Sequence, residues 1–239
     1  MSQHVLLNSE QHRNIRVRTQ RSAELGDNLM FAVTFVEELR TIQAHYPVFF
    51  QKDPQSGEFQ CVALLGFEQG ENLFLTDQGW DAPHIPVLIE RLPFLIGLQN
   101  KGGEQERMVH IDMDNPRVNE EEGEALFNQF GSPTEYLQRI SALLEATHLG
   151  LQENKSFLGM LNELTLIESF SLDVELNNGS QHQLLGFYTI NEDKLAQLSG
   201  AQLQMLHEKG YLQALYMILA SHSHLKSLIA RKNQRLEQG

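Results

Sequence analysis

An α+β fold, with a small, mostly antiparallel N-terminal sheet followed by a helical C-terminal half carrying one β-hairpin, is what this 239-residue sequence predicts. Three observations predict it. Short apolar runs punctuated by Gly and Pro fill the first half. The character changes after Asn115-Pro116, where Asn119–Glu124 holds four Glu in six residues. Beyond that point apolar residues recur at helical spacing behind capping signatures. The expected division is an extended arm over 1–28, a β-rich lobe over 29–118 and a helical lobe over 119–239 with its hairpin at 171–190, unless the lobes merge into one domain.

The arm is polar and Arg-rich and ends at Gly26-Asp27-Asn28. Leu29–Val36 alternates as a strand, with Phe31, Val33 and Phe35 on one face, and Val36–Ala44 turns into a helix that Tyr46-Pro47 stops. Val48–Lys52 and Glu58–Leu65 flank a Pro54–Gly57 turn as an antiparallel pair. Asn72–Thr76 leads into Asp77-Gln78-Gly79, a turn signal because Asp bonds its own backbone and Gly accepts positive φ. A short helix follows over His84–Arg91, bracketed by Pro83, Pro86 and Pro93. Phe94–Leu98 and Arg107–Asp112 are further strands, with Gly102-Gly103 between them.

In the second half, Ser132-Pro133-Thr134-Glu135 reads as a capping box that starts a helix at Pro133. Tyr136, Leu137, Ile140, Leu143, Leu144 and Leu151 form its apolar stripe. A break is expected near His148–Asn154, and a second helix over Ser156–Glu168. Leu172, Val174 and Leu176 alternate with polar residues, Asn177-Asn178-Gly179-Ser180 turns, and Gln183–Ile190 returns. Asn191 caps a short helix through Leu198, Ser199-Gly200-Ala201-Gln202 is a second capping box, and Gly210 ends the helix it opens. Tyr211–Arg235 then reads as one long amphipathic helix.

Composition excludes several classes. With 41% apolar residues the chain can bury a core without staples, and its one cysteine excludes an internal disulfide. Cys61 lies in an apolar run with no basic neighbour to activate it, so it reads as core. A formal charge of −13 argues against nucleic acid as the partner. Each end carries four Lys or Arg against one Glu, a number that reads as a solvated tail. No run approaches the roughly 18–20 apolar residues that span a bilayer. Met1–Gln20 has no secretory pattern, so a cytoplasmic location is expected.

Chemistry has two candidate homes. At the Pro-rich corner, Trp80 and His84 offer stacking surface while Asp81 and Arg91 offer oriented polar contacts, the composition of a sugar or peptide cleft. The simpler reading, and the preferred one, is that Trp80 plugs the sheet and Asp81 caps the short helix. The second home is His110-Ile111-Asp112, where a His and a carboxylate two apart on a strand share a face. With a third ligand from His148, His182, His207, His222 or His224 they would make the facial triad of a non-heme iron site. So short a pattern recurs by chance, and a solvent-facing edge strand is preferred; Asp114 extends the alternation and suits a hard cation on the same terms. His222 and His224 face about 200° apart on a helix and cannot share a metal. No Gly-x-Ser-x-Gly elbow and no Gly-rich strand-to-helix phosphate loop is present.

The stretch Leu64-Leu65-Gly66, Gly70-Glu71-Asn72-Leu73-Phe74 and Gly79-Trp80-Asp81-Ala82-Pro83-His84-Ile85-Pro86 resembles the most recognisable segment of the bacterial SapC-like family. The likeness continues at Tyr46-Pro47, Asp112 to Pro116, Glu122-Gly123-Glu124, Leu126-Phe127, Asn178-Gly179-Ser180 and Leu185 to Tyr188. Members of that family are often encoded beside TonB-dependent receptors, flavin-dependent halogenase-like proteins and cupin-like proteins. The resemblance therefore implies a cytoplasmic, non-catalytic accessory or binding protein without a cofactor, linked to uptake or processing of an imported sugar or peptide, with that ligand or a protein as partner. A metal-dependent oxygenase using His110 and Asp112 is the alternative. A surface-layer role, from which the family takes its name, is a distant third.

Overall fold

The computed structural model describes residues 3–101 and 104–238; the expected Gly102-Gly103 turn lies outside them. In chain order the strands and helices of the first half are β1 (His4–Leu6), β2 (Arg16–Val17), β3 (Phe31–Thr34), α1 (Leu39–Ile42), β4 (Val48–Lys52), β5 (Phe59–Leu64), β6 (Leu75–Thr76), β7 (Gly79–Trp80), α2 (Val87–Glu90), β8 (Phe94–Lys101), β9 (Glu104–Asp112), β10 (Val118–Asn119) and β11 (Glu124–Ala125). The second half adds α3 (Glu135–Glu163), β12 (Ile167–Glu175), β13 (Gln181–Ile190), α4 (Glu192–Ala196), α5 (Gly200–Glu208), α6 (Tyr211–Ser221) and α7 (Leu225–Gln238).

The expected order of a small N-terminal sheet followed by a helical half is overturned, although helices and antiparallel strands do share the fold. Strands run along most of the chain. The largest sheet has the order β12-β13-β4-β5-β3, and its first two strands come from the C-terminal half. Phe187 and Tyr188 of β13 pair with Gln51 and Phe50 of β4. The hairpin has an apolar face, with Val174, Leu184 and Phe187 buried, and joining β4 and β5 covers that face in the main core. Alternation shows such a face but not which strand edge it will join.

Leu184 and Phe187 are three apart, so they could not share a face of a regular strand. A bulge resolves this: Phe170 pairs with Phe187 and Leu172 with Leu184, which sets Ser171 against Leu185 and Gly186. Gly186, at φ 79°, absorbs the extra residue. The hairpin turn falls where expected, with Gly179 at φ 83°.

The arm is not a tail. β1 pairs with β9, and β2 is the central strand between β10 and β11. The other basic end also folds onto the acidic body: Lys232 reaches Glu71 at 2.6 Å and Glu68 at 3.2 Å, and Arg235 donates to the carbonyls of Asn72 and Leu75 at 3.0 and 2.7 Å.

α3 begins two residues later than expected, because Thr134 rather than Ser132 is the N-cap and accepts from the Leu137 N–H. It runs unbroken for 29 residues, about 43 Å at 1.5 Å per residue. The expected break near His148–Asn154 is absent because Gly150 serves as a notch for Phe35; a Cβ there would stand 2.3 Å from the ring. The first half of α3 packs Tyr136, Leu137, Ile140 and Leu144 into a core cluster with Phe94 and Ile111, while Phe157, Leu158 and Leu161 enter the larger cluster under the main sheet.

The last helix is broken where one was expected. A 3-10 turn over His222–His224 separates α6 from α7. There Ser221 Oγ accepts from Val48 N–H at 2.9 Å and His222 Nε2 donates to Val48 C=O at 3.0 Å, so both backbone groups at the start of β4 are satisfied by the break. Among the described residues no helix is long and apolar enough to cross a membrane.

Candidate functional site

The corner is assembled from the inside outward. β6 and β7 form a minimal hairpin in which Leu75 pairs with Trp80, closed by Gly79 at φ 106°. Half-buried Trp80 donates Nε1–H to the Tyr46 hydroxyl at 2.8 Å. That hydroxyl donates in turn to the carbonyl of His84, and the Tyr46 ring meets Phe74 edge-on at 4.6 Å. Burial raises the Tyr46 phenol well above its ordinary range, so it remains a donor.

Glu38 is the second fixed point. Its buried carboxylate accepts from His84 Nε2 and from Val87 N–H, both at 2.8 Å on one oxygen, and from Thr34 Oγ1 at 2.7 Å on the other. The first N–H of α2 is therefore served by Glu38, 49 positions away, and not by Asp81. Arg91 donates to the Phe94 carbonyl at 2.5 Å, and burial lowers its pKa.

Asp81 points outward. Its Oδ2 accepts from Arg231 Nη1 at 2.6 Å and its carbonyl from Nη2 at 3.1 Å, while the guanidinium stands 4.5 Å from the centre of the Phe74 ring. This pair belongs to the walls of two open clefts. One, of about 320 Å³, is lined by His45, Phe74, Asp81, His224, Ser227 and Arg231 among others. The other, of about 360 Å³, has Leu75, Thr76, Asp77 and Arg235 beside the same two residues. Both volumes lie in the range of small-ligand sites. Burial, then the proximity of His84 and His224, lowers the pKa of His45 and keeps it neutral at the cleft wall.

Of the four residues expected at this corner, Asp81 lines the clefts. Trp80 and His84 hold the backbone behind them, and Arg91 binds the start of β8. Sequence reasoning missed Arg231, Phe74, His45 and Glu38. The available signal was Arg231 and Arg235 at i and i+4 on one helix face; nothing local shows that this face meets Asp81.

His110 and Asp112 lie on β9 as expected. The His110 ring covers Gly97, where a Cβ would come within 2.3 Å of Cε1, and its Nδ1 donates to the Met108 carbonyl at 3.2 Å. Asp112 lies opposite His4 and accepts from the Asp114 N–H at 3.2 Å. His182 pairs with Glu68 at 2.9 Å, and His222 stacks on Phe49 at 4.7 Å. Among the described residues no three His, Cys, Asp or Glu side chains are grouped to hold a metal ion. Cys61 is fully buried, and burial pushes its thiol up to about 12.

No curated protein and no solved structure matches the chain. The sequence model described as SapC matches residues 7–228, nearly the whole length; it includes the Trp80 corner and Asp81 but ends one turn into the last helix, before Arg231 and Arg235. The chain belongs to the SapC family.

Proposed function

We propose that this chain is a non-catalytic accessory protein that binds a small polar ligand, a sugar or short peptide, in the clefts on either side of Asp81 and Arg231. The observation that carries this reading is the pairing itself. A guanidinium that holds both the carboxylate and the backbone carbonyl of Asp81 stands beside an aromatic face and the neutral His45 imidazole, supplying fixed donors and acceptors around an apolar floor. Trp80, Tyr46 and Glu38 support the reading as a rigid backing for that floor. The genomic company of the family, TonB-dependent receptors among it, favours a compound brought in from outside and handled in the cytoplasm.

Titration calorimetry with neutral oligosaccharides and with short peptides tests the site. Binding that is lost in Ser227→Ala and Asp81→Asn, with unfolding midpoints retained, is expected. Ligand binding unaffected by both substitutions would move the site elsewhere. Cell fractionation tests the location, and recovery mainly from the outer surface would favour the surface-layer role.

A further inference from the structure

We propose that a separate, partly open cavity, lined by Arg18, Arg21, Arg117, Arg139 and Tyr136 among others, is a binding site for a small oxyanion, a phosphate or carboxylate group. It has a volume of about 190 Å³ and shares no lining residue with the cleft that contains His45. For scale, a cavity of roughly 150 Å³ accepts benzene. A phosphate or a short dicarboxylate therefore fits, and a nucleotide does not.

Four guanidinium groups converge on this space in a chain whose net charge is −13. Three are held by protein contacts at their terminal nitrogens. Arg117 donates through Nη1 to the carbonyls of Arg18 and Gln20 at 3.1 and 2.7 Å, and through Nη2 to Asp27 at 2.5 Å. Arg21 donates through Nη1 to the Ile89 carbonyl at 3.1 Å and to Asp27 at 3.4 Å, and through Nη2 to the Glu90 carbonyl at 3.5 Å. Arg18 Nη2 meets Glu122 at 2.7 Å.

In each of the three the Nε–H is buried and has no partner among the described residues. Arg117 as a whole is 1% exposed. A buried charged donor without an acceptor is costly, and such groups are exceptional in folded proteins. Three such unpaired donors belong to arginines that line one cavity, and the chain supplies no acceptor for them among the described residues. The fourth guanidinium, Arg139, lies over the Tyr136 ring at 5.6 Å.

The carboxylates nearby are Asp27, Glu122, the lining Glu90 and Glu124, which acts on Tyr136, while the lining itself holds four arginines against one glutamate. The fixed terminal contacts orient the groups before a ligand arrives, the arrangement by which arginines recognise oxyanions. Ile85, Leu92 and Ile140 supply the apolar part of the wall.

The test uses the full chain with inorganic phosphate and succinate at millimolar concentration, against sodium chloride of equal ionic strength. Thermal unfolding and the arginine Nε–H resonances are followed. Phosphate or succinate is expected to raise Tm and to shift the Nε–H signals of Arg18, Arg21 and Arg117, with chloride inert; the stronger of the two names the ligand class. Arg18→Gln and Arg139→Gln, which leave the Asp27 contacts intact, are expected to weaken the response at least about tenfold, the scale of one charge-assisted hydrogen bond. No shift with either oxyanion overturns the proposal, as does a response of equal size in both variants. If a variant unfolds, the resonance shifts in the unaltered chain decide.

Discussion

Asp27 and Arg117, 90 positions apart, form a 2.5 Å ion pair in which the carboxylate is 0% and the arginine 1% exposed. Asp27 Oδ2 also accepts from the Ser22 N–H at 2.9 Å, and the Asp27 carbonyl accepts from Asn72 Nδ2 at 2.8 Å. This one residue joins the end of the N-terminal segment to the loop before β10 and to the stretch before β6. Removing one member of a buried pair leaves the other charge uncompensated. Asp27→Ala is expected to destabilise the protein by about 3–5 kcal/mol in urea unfolding. A loss below about 1 kcal/mol would show that water reaches Arg117.

The two helical glycines of α3 should respond oppositely. At Gly150 the added methyl meets the Phe35 ring, so Gly150→Ala is expected to cost a net of about 1–2 kcal/mol from overpacking despite better helix propensity. At Gly159 nothing lies within 4 Å, and Gly159→Ala is expected to stabilise by up to about 1 kcal/mol. Phe35→Leu in the Gly150→Ala background should recover part of the loss. Equal effects at the two positions would refute the notch.

Stability should fall on mild acidification. Burial lowers the pKa of His222, against the raising effects of its Val48 bond and Glu192, and burial also lowers that of His45. Both imidazoles then bind a proton more readily in the unfolded chain than in the folded one. Their contribution is complete above the ordinary value of 6.5 and is lost as pH drops below it toward the folded values. Urea midpoints between pH 7.5 and 5 should decline, as roughly located by the imidazole range, and His222→Gln should flatten the decline. A midpoint that rises on acidification contradicts both shifts.

Cys61 should be inert to thiol reagents at mildly alkaline pH, because its thiol is fully buried and pushed up to about 12. Ellman's reagent is expected to report one thiol in urea and almost none in buffer. Fast native labelling would require an opening of the β4–β5 core.

Much of what lay within a few residues was legible in the sequence, the Ser132 cap displaced by Thr134 excepted, and what joined distant residues was not. Ser199 and Gln202 bond each other's backbones as a capping box, and Asn191 accepts from the Lys194 N–H, because a cap needs only its own first turn. Gly179 turns the hairpin for the same local reason. Tertiary structure alone decided that this hairpin joins β4, that Gly150 admits Phe35 instead of breaking α3, and that Ser221 and His222 turn the last helix onto Val48. It also decided both candidate sites. Asp81 meets Arg231 across 150 positions, and Arg117 meets Arg18 and Arg21 only once β10 has paired with β2. Apolar alternation tells which face of a strand is buried, while the choice of partner edge depends on the shape and area of cores assembled from several segments at once, and no window of sequence contains those.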